Sequence, residues 1–162
     1  MTFVVRLAQP SDESALIDQF QGLNVHENGI TRDRRTDYSA AQESLAAAWQ
    51  SVRQTDGQVL VAELDGRVIG HLFLLFKIDA VFVERELRPY AYVSELYVRE
   101  KVRGRGVAKA LMNEAERIAK RRGLPRILVG VVAGNKEAEA LYGRLGYVPY
   151  TTELTKNLSF SK

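Results

Sequence analysis

The sequence predicts an α/β domain: a mixed, mostly antiparallel central sheet flanked by helices. Three observations carry that expectation. Short apolar runs alternate with stretches whose apolar residues recur at helical spacing, Asp65-Gly66 joins two adjacent apolar runs as a hairpin, and the overall order is strand, helices, hairpin, strand, helix, strand, helix, strand. With 46% hydrophobic and 27% charged residues over 162 positions, one core is expected, so residues 1–162 read as a single domain.

Thr2 to Leu7 reads as a strand, and QPSDESALIDQF as a helix with Ser11 or Asp12 at its N-cap and acids in the first turn. GLNVHENGITRDRRTDYS is polar, contains two glycines and reads as an irregular connection. DYSAAQESLAAAWQSVRQ is Ala-rich, with Leu45, Trp49 and Val52 near helical spacing. The two arms of QVLVAELDGRVIGHLFLLF are nearly continuous apolar runs, as expected for strands covered on both faces. KIDAVFVERELRPY mixes charges with apolar pairs and reads as a loop with an extended entry.

AYVSELYV is the next strand. Val107 to Arg122 is a helix carrying Leu111, Ala115, Ile118 and Ala119 on one face, and Gly123 stops it. RILVGVV follows as a strand, NKEAEALYGRLG as a short helix closed by Gly146, and YVPYTTELTKNL as a final extended segment.

Composition narrows the chemistry. With no cysteine, disulfides, thiolate metal sites and cysteine nucleophiles are excluded, and His26 and His71 are too few for a histidine-rich metal site. A formal charge of +3 permits nucleic acid without demanding it. The opening residues lack a signal core and no run has the length of a membrane helix, so a soluble cytoplasmic protein is expected.

The chemistry turns on Arg103-Gly104-Arg105-Gly106, which falls between a strand and a helix. The first N–H groups of a helix have no intrahelical acceptor and sit at its positive dipole end, so a glycine turn placed there can wrap a phosphate. The third glycine of a dinucleotide fingerprint and the Gly-Lys-Ser/Thr of a Walker loop are both missing, which removes most support for nicotinamide redox and nucleotide hydrolysis.

Arg103 to Ala108 fits Arg/Gln-x-x-Gly-x-Gly/Ala, and NKEAEALYGRLGY fits Asn-x-x-Ala-x-x-Leu-Tyr-x-x-x-Gly-Tyr through Asn135, Ala138, Leu141, Tyr142, Gly146 and Tyr147. With both patterns in this order, the chain resembles the GNAT family of N-acetyltransferases. Motifs span Glu95 to Tyr147, and the segment after Gly146 is short for the two closing strands many members have.

The resemblance implies a sheet with a splayed central strand pair and acetyl transfer from acetyl-CoA to a primary amine, with no metal and no covalent enzyme intermediate. By resemblance, the amides of Arg103, Gly104, Arg105, Gly106, Val107 and Ala108 hold the pyrophosphate, and the Arg103 and Arg105 side chains add charge. Backbone groups around Leu96, Tyr97 and Val98 bind pantetheine, and Asn135 contacts the cofactor arm besides capping its helix. Tyr142 donates a hydrogen bond or a proton to the departing thiolate; its plain alternative is an amphipathic helix residue with a wet hydroxyl.

Glu95 is the candidate base for the acceptor ammonium, against the alternative of a strand carboxylate paired to a nearby cation. Strand alternation groups Glu95 with Val93 and Tyr97, apart from Ser94, Leu96 and Val98. His71, inside an apolar strand, reads as a core or interface histidine.

Two other functions compete. Arg103, Arg105, Lys109, Lys120, Arg121, Arg122 and Arg126 could form a nucleic-acid surface, but Glu114 and Glu116 interrupt them and no nucleic-acid signature accompanies them. An acyl-CoA-binding sensor would keep the fold without the reaction. The acceptor is open, and although homodimers are frequent in the family, nothing in the chain specifies one.

Overall fold

The structure, a computed structural model, describes residues 2–158. The strands are β1 (Val4–Leu7), β2 (Gln58–Leu64), β3 (Arg67–Ile78), β4 (Pro89–Val98) and β5 (Ile127–Val129), and the helices α1 (Glu13–Thr31), α2 (Tyr38–Gln54), α3 (Val107–Arg121) and α4 (Lys136–Arg144). They form one sheet in the order β1-β2-β3-β4-β5, antiparallel except for the β4–β5 pair. The mixed, mostly antiparallel sheet flanked by helices is therefore as expected.

Each sheet face is covered by its own layer. Leu16 and Phe20 of α1 and Ala41, Leu45 and Val52 of α2 pack on Val59, Val61, Phe73 and Leu75. On the opposite face Leu111, Met112, Ala115 and Ile118 of α3 meet Leu60, Ala62, Leu72, Leu74, Ala91 and Val93, with Tyr142 of α4 at the margin. This two-sided burial explains why β2 and β3 are nearly continuous apolar runs. At one end, the Arg6 guanidinium bonds both Asp12 oxygens at 2.7 and 2.9 Å and Glu63 at 2.7 Å, joining β1 to the start of α1 and to β2.

Three expectations need correction. The polar stretch after Phe20 is no irregular connection: α1 runs on to Thr31. Gly22 costs the helix about 1 kcal/mol relative to Ala, but a Cβ there would collide with the Tyr97 hydroxyl, so it allows α1 to lie close over β4. RILVGVV is a strand over three residues, Ile127–Val129, and diverges from β4 beyond them. The segment 147–158, expected as a closing strand, joins no ladder.

A bulge in β4 changes its facing. Phe73 pairs with Glu95 and Leu74 with Val93, leaving Ser94 as the extra residue. Val93 packs on the α3 face, as do Leu96 and Val98 beyond the bulge. Tyr97 lies on the other face, stacked with His71 at 6.2 Å, and His71 stacks with Phe20 of α1 at 5.1 Å. Glu95 and Tyr97 thus share the α1 face without Val93, contrary to simple alternation.

His71 is a core histidine. Nδ1 lies 2.8 Å from Gln19 Oε1, Nε2 is buried without a hydrogen-bond partner among the described residues, and burial pushes the ring's pKa down to about 3.

The close approach of β3 to the end of β4 gives a test of packing. A Cβ on Gly70 would stand 2.9 Å from the Tyr97 carbonyl oxygen and 3.2 Å from Val98 Cγ2. The nearer atom is backbone and cannot rotate aside, so Gly70→Ala is expected to destabilise the protein by about 1–3 kcal/mol. Thermal unfolding checks this, and an unchanged Tm contradicts the close contact.

Candidate active site

β4 and β5 pair over Ala91–Val93 and Ile127–Val129, after which β4 continues to Val98 paired with β3 but not with β5. The N–H of Arg99 donates to the Ile69 carbonyl at 2.9 Å, so by alternation the backbone groups of Tyr97 face β3, and those of Leu96 and Val98 face the gap beside β5. Of the three residues expected at the pantetheine, Leu96 and Val98 thus present backbone groups to the opening and Tyr97 does not.

The gap is a small cleft of about 70 Å³, lined by β4 residues 93–96, residues 129–132, Asn135, Ala138 and Tyr142, with Leu23 and Glu27 of α1 across it. Gly130 lies beside the cleft wall, where a Cβ would sit 3.0 Å from the Tyr92 hydroxyl.

The open edge of β4 leads through a 3-10 turn at Glu100–Val102 into Arg103–Gly106 and then α3. Gly104 and Gly106 have φ of 72° and 82°, left-handed values that glycine adopts without strain, and a Cβ at either would meet nothing within 4 Å. Packing alone therefore does not require glycine there. Gly106 is the N-cap residue, and its carbonyl accepts from the Ala110 N–H at 3.0 Å. The amides of Val107, Ala108 and Lys109 precede that first helical bond, which leaves them for an outside acceptor at the positive end of a 15-residue helix.

The two arginines differ. Arg103 Nε donates to the Val98 carbonyl at 3.0 Å, its Nη1 lies 3.5 Å from Glu137, and its guanidinium stands 5.6 Å over the Tyr97 ring. Its charge is thus turned inward, joining the end of β4 to the start of α4. Arg105 is exposed on the loop. Asn135 is an N-cap, its side-chain oxygen accepting from the Ala138 N–H at 3.2 Å, and it also lines the cleft.

Two ionisable groups expected at the chemistry meet in this cleft. Burial first, and the Glu27 carboxylate second, raise the Glu95 pKa to about 7, with Arg34 acting in the opposite sense. The same two causes push Tyr142 up to about 12, so its phenol stays protonated through neutral pH. Tyr142 is 8% exposed and its ring lies 5.9 Å from that of Tyr147, whose hydroxyl donates to Glu116 at 3.0 Å.

Glu27 is the cleft residue that the sequence reading misses. Its signal is periodicity: Leu16, Phe20, Leu23, Glu27 and Ile30 follow one helical stripe. Reading the polar stretch as a loop hides that stripe, and with it a carboxylate across the cleft from Tyr142.

Comparison with known proteins agrees with this arrangement. Residues 25–147 match the family model described as the acetyltransferase (GNAT) family. An uncharacterized N-acetyltransferase of Methanocaldococcus jannaschii is 34% identical over 100 residues, 61% of this chain and 42% of that protein. A mycothiol acetyltransferase of Streptomyces coelicolor is 37% identical over 94 residues, 58% of this chain and 28% of that protein. The chain thus spans less than half the length of these curated relatives. A transcriptional regulator from Bacillus halodurans C-125, 16% identical, has the same fold with a TM-score of 0.76, covering 97% of this chain and 100% of that one. The family match covers well over half of the sequence and includes the glycine loop, the open strand edge and Tyr142: the chain belongs to the GNAT family of acetyltransferases.

Proposed function

We propose that the protein transfers the acetyl group of acetyl-CoA directly to a primary amine. The observation that carries this reading is the pair of outward-facing backbone sets, one at the open edge of β4 and one at the start of α3, with Tyr142 and Glu95 in the cleft beside them. A thioester carried on a long amide-bearing arm with a pyrophosphate at its far end matches that sequence of donors. Leu96 and Val98 bind the arm through their backbone, and the amides of residues 104–108 bind the pyrophosphate; the Arg103 N–H, expected among them, instead donates to the Glu100 carbonyl at 3.1 Å.

Glu95, through a water, takes the proton that an alkylammonium must lose before it attacks, since such an amine has a pKa of about 10.4. The amine nitrogen then forms a bond to the acetyl carbon, its second proton passes to solvent, and the carbon–sulfur bond breaks. A β4 N–H directed at the carbonyl oxygen stabilises the charge that develops there. Tyr142 donates a hydrogen bond to the sulfur as it leaves. CoA departs, protonated by solvent according to pH.

The test is thiol release from acetyl-CoA by the purified protein with a pooled panel of amines, beside an acceptor-free control. Release that depends on the amine supports transfer, whereas CoA binding without release across a broad panel overturns it in favour of a sensor. The phosphate loop has a separate readout: Gly106→Val places a β-branched side chain at a φ of 82° and crowds the approach to the amides. Its affinity for CoA should fall by about tenfold or more, the worth of losing one or two charge-assisted hydrogen bonds. Calorimetry with CoA measures this, and an unchanged Kd would place the pyrophosphate elsewhere.

A further inference from the structure

Glu27 stands on the α1 side of the cleft with no part in the proton transfers above. The chain is shaped to give it a partner. α1 is capped by Arg32, which adopts a left-handed φ of 59° while its N–H donates to the Asn28 carbonyl at 3.0 Å. The backbone then doubles back, and the Asn28 side-chain oxygen accepts from the Arg34 N–H at 3.1 Å. This reversal brings Arg34 Nε to 2.9 Å from Glu27, while Asp33 accepts from the same guanidinium at 2.7 Å.

The pair is partly open to solvent, with side-chain exposures of 35% for Arg34 and 23% for Glu27, and ion pairs this accessible are weakly held. Both partners act on Glu95, Glu27 disfavouring its charged form and Arg34 favouring it. Glu27 and Asp33 thus share one guanidinium at the α1 side of the cleft, which Glu27 itself lines.

A cation held there is not the reacting amine, which must become neutral to attack. A carboxylate bonded to a nitrogen that stays charged would hold the attacking nitrogen in its unreactive form. A site that already accepts a permanently charged guanidinium suits a group that remains charged throughout. Resting on the transferase reading, we infer that Glu27 recognises a second cationic group on the acceptor, and that Arg34 is a resident guanidinium which this group displaces. The acceptor class is therefore an amine bearing a further positive charge, such as a diamine or an amine on a basic chain.

The inference gives the two residues effects of opposite sign. Thiol release is measured with α,ω-diaminoalkanes of increasing length and with monoalkylamines of matching length, using wild type, Glu27→Gln and Arg34→Ala. The ratio of kcat/KM for diamine over monoamine should fall roughly five- to tenfold in Glu27→Gln and rise about two- to threefold in Arg34→Ala. Taking the ratio within one variant cancels any change in Glu95. If the pair merely fastens the end of α1, both substitutions move activity the same way and leave the ratio unchanged, which overturns the inference.

Calorimetry of diamine binding to the protein with CoA bound separates this result from the fate of the transfer reading. Diamine binding weakened by Glu27→Gln and strengthened by Arg34→Ala upholds Glu27 even if no amine is acetylated. Binding indifferent to both residues, or no binding, overturns the role of Glu27 even where turnover is robust.

Discussion

Glu95→Gln is expected to lower kcat/KM for the acceptor by about 10²- to 10³-fold, the usual worth of a positioned general base. The pH profile identifies the cause. With its pKa raised to about 7, Glu95 is protonated and unable to accept a proton on the acid side, so wild-type activity rises through an inflection near that value. The Gln variant should lose this inflection and keep the slower rise set by deprotonation of the amine itself, near pH 10 for an alkylamine. An inflection that survives the substitution assigns the titration to another group, and an unchanged rate sends the proton directly to solvent.

The same carboxyl gives a stability readout with the opposite sign. Its pKa in the folded protein lies above the ordinary value of 4.5, so the folded state binds the proton more tightly than the unfolded chain does. That contribution is fully present below about pH 4.5 and is lost as pH rises through about 7. Above that, a partly buried charge remains in the fold, disfavoured by burial and by Glu27 more than Arg34 favours it. Glu95→Gln should therefore be more stable than wild type at about pH 8, by about 1–3 kcal/mol after allowance for solvent at the cleft, with the difference vanishing toward acid. A variant that loses activity while gaining stability marks a residue retained for chemistry rather than packing.

The legible parts of this protein are those governed by local rules. The Asp65-Gly66 hairpin, the amphipathic α3, the Asn135 cap and the glycine loop between strand and helix each follow from a few neighbouring residues. The corrected parts depend on contacts distant in sequence. α1 extends through polar residues because Gly22 seats it over Tyr97, a pairing of positions 75 residues apart whose close approach only the fold reveals. β5 is short because β4 diverges from it, not because Gly130 to Val132 lack strand character. The bulge at Ser94 leaves no mark in AYVSELYV, yet that one extra residue sets Glu95 facing α1 and Glu27. Arg103 shows the same limit within a matched motif: its place in the pattern is legible, but its bond to the Val98 carbonyl is not.

Tyr142→Phe is expected to lower kcat by about 10- to 100-fold, a smaller loss than removing the base, and the reason lies in the acidities involved. A thiol has a pKa of about 8.5 and leaves readily as its anion, whereas burial holds the Tyr142 phenol at about 12. Complete proton transfer from phenol to thiolate is thus uphill by roughly 4–5 kcal/mol, at about 1.4 kcal/mol per pK unit. A hydrogen bond to the charge growing on sulfur needs no such transfer, and a bond to a charged partner is worth about 1.5–3 kcal/mol, which gives the predicted range in rate. Tyr147 cannot readily take over, because its hydroxyl already donates to Glu116. The Phe side chain keeps the ring packing, so Tm should change little and the KM for acetyl-CoA should stay close to that of wild type. Because the phenol titrates far above neutrality, wild type should show no alkaline decline from Tyr142 below about pH 10. A Tyr142→Phe enzyme with wild-type kcat, under conditions where acetyl transfer limits the rate, would leave Tyr142 a packing residue and require another donor for the thiolate.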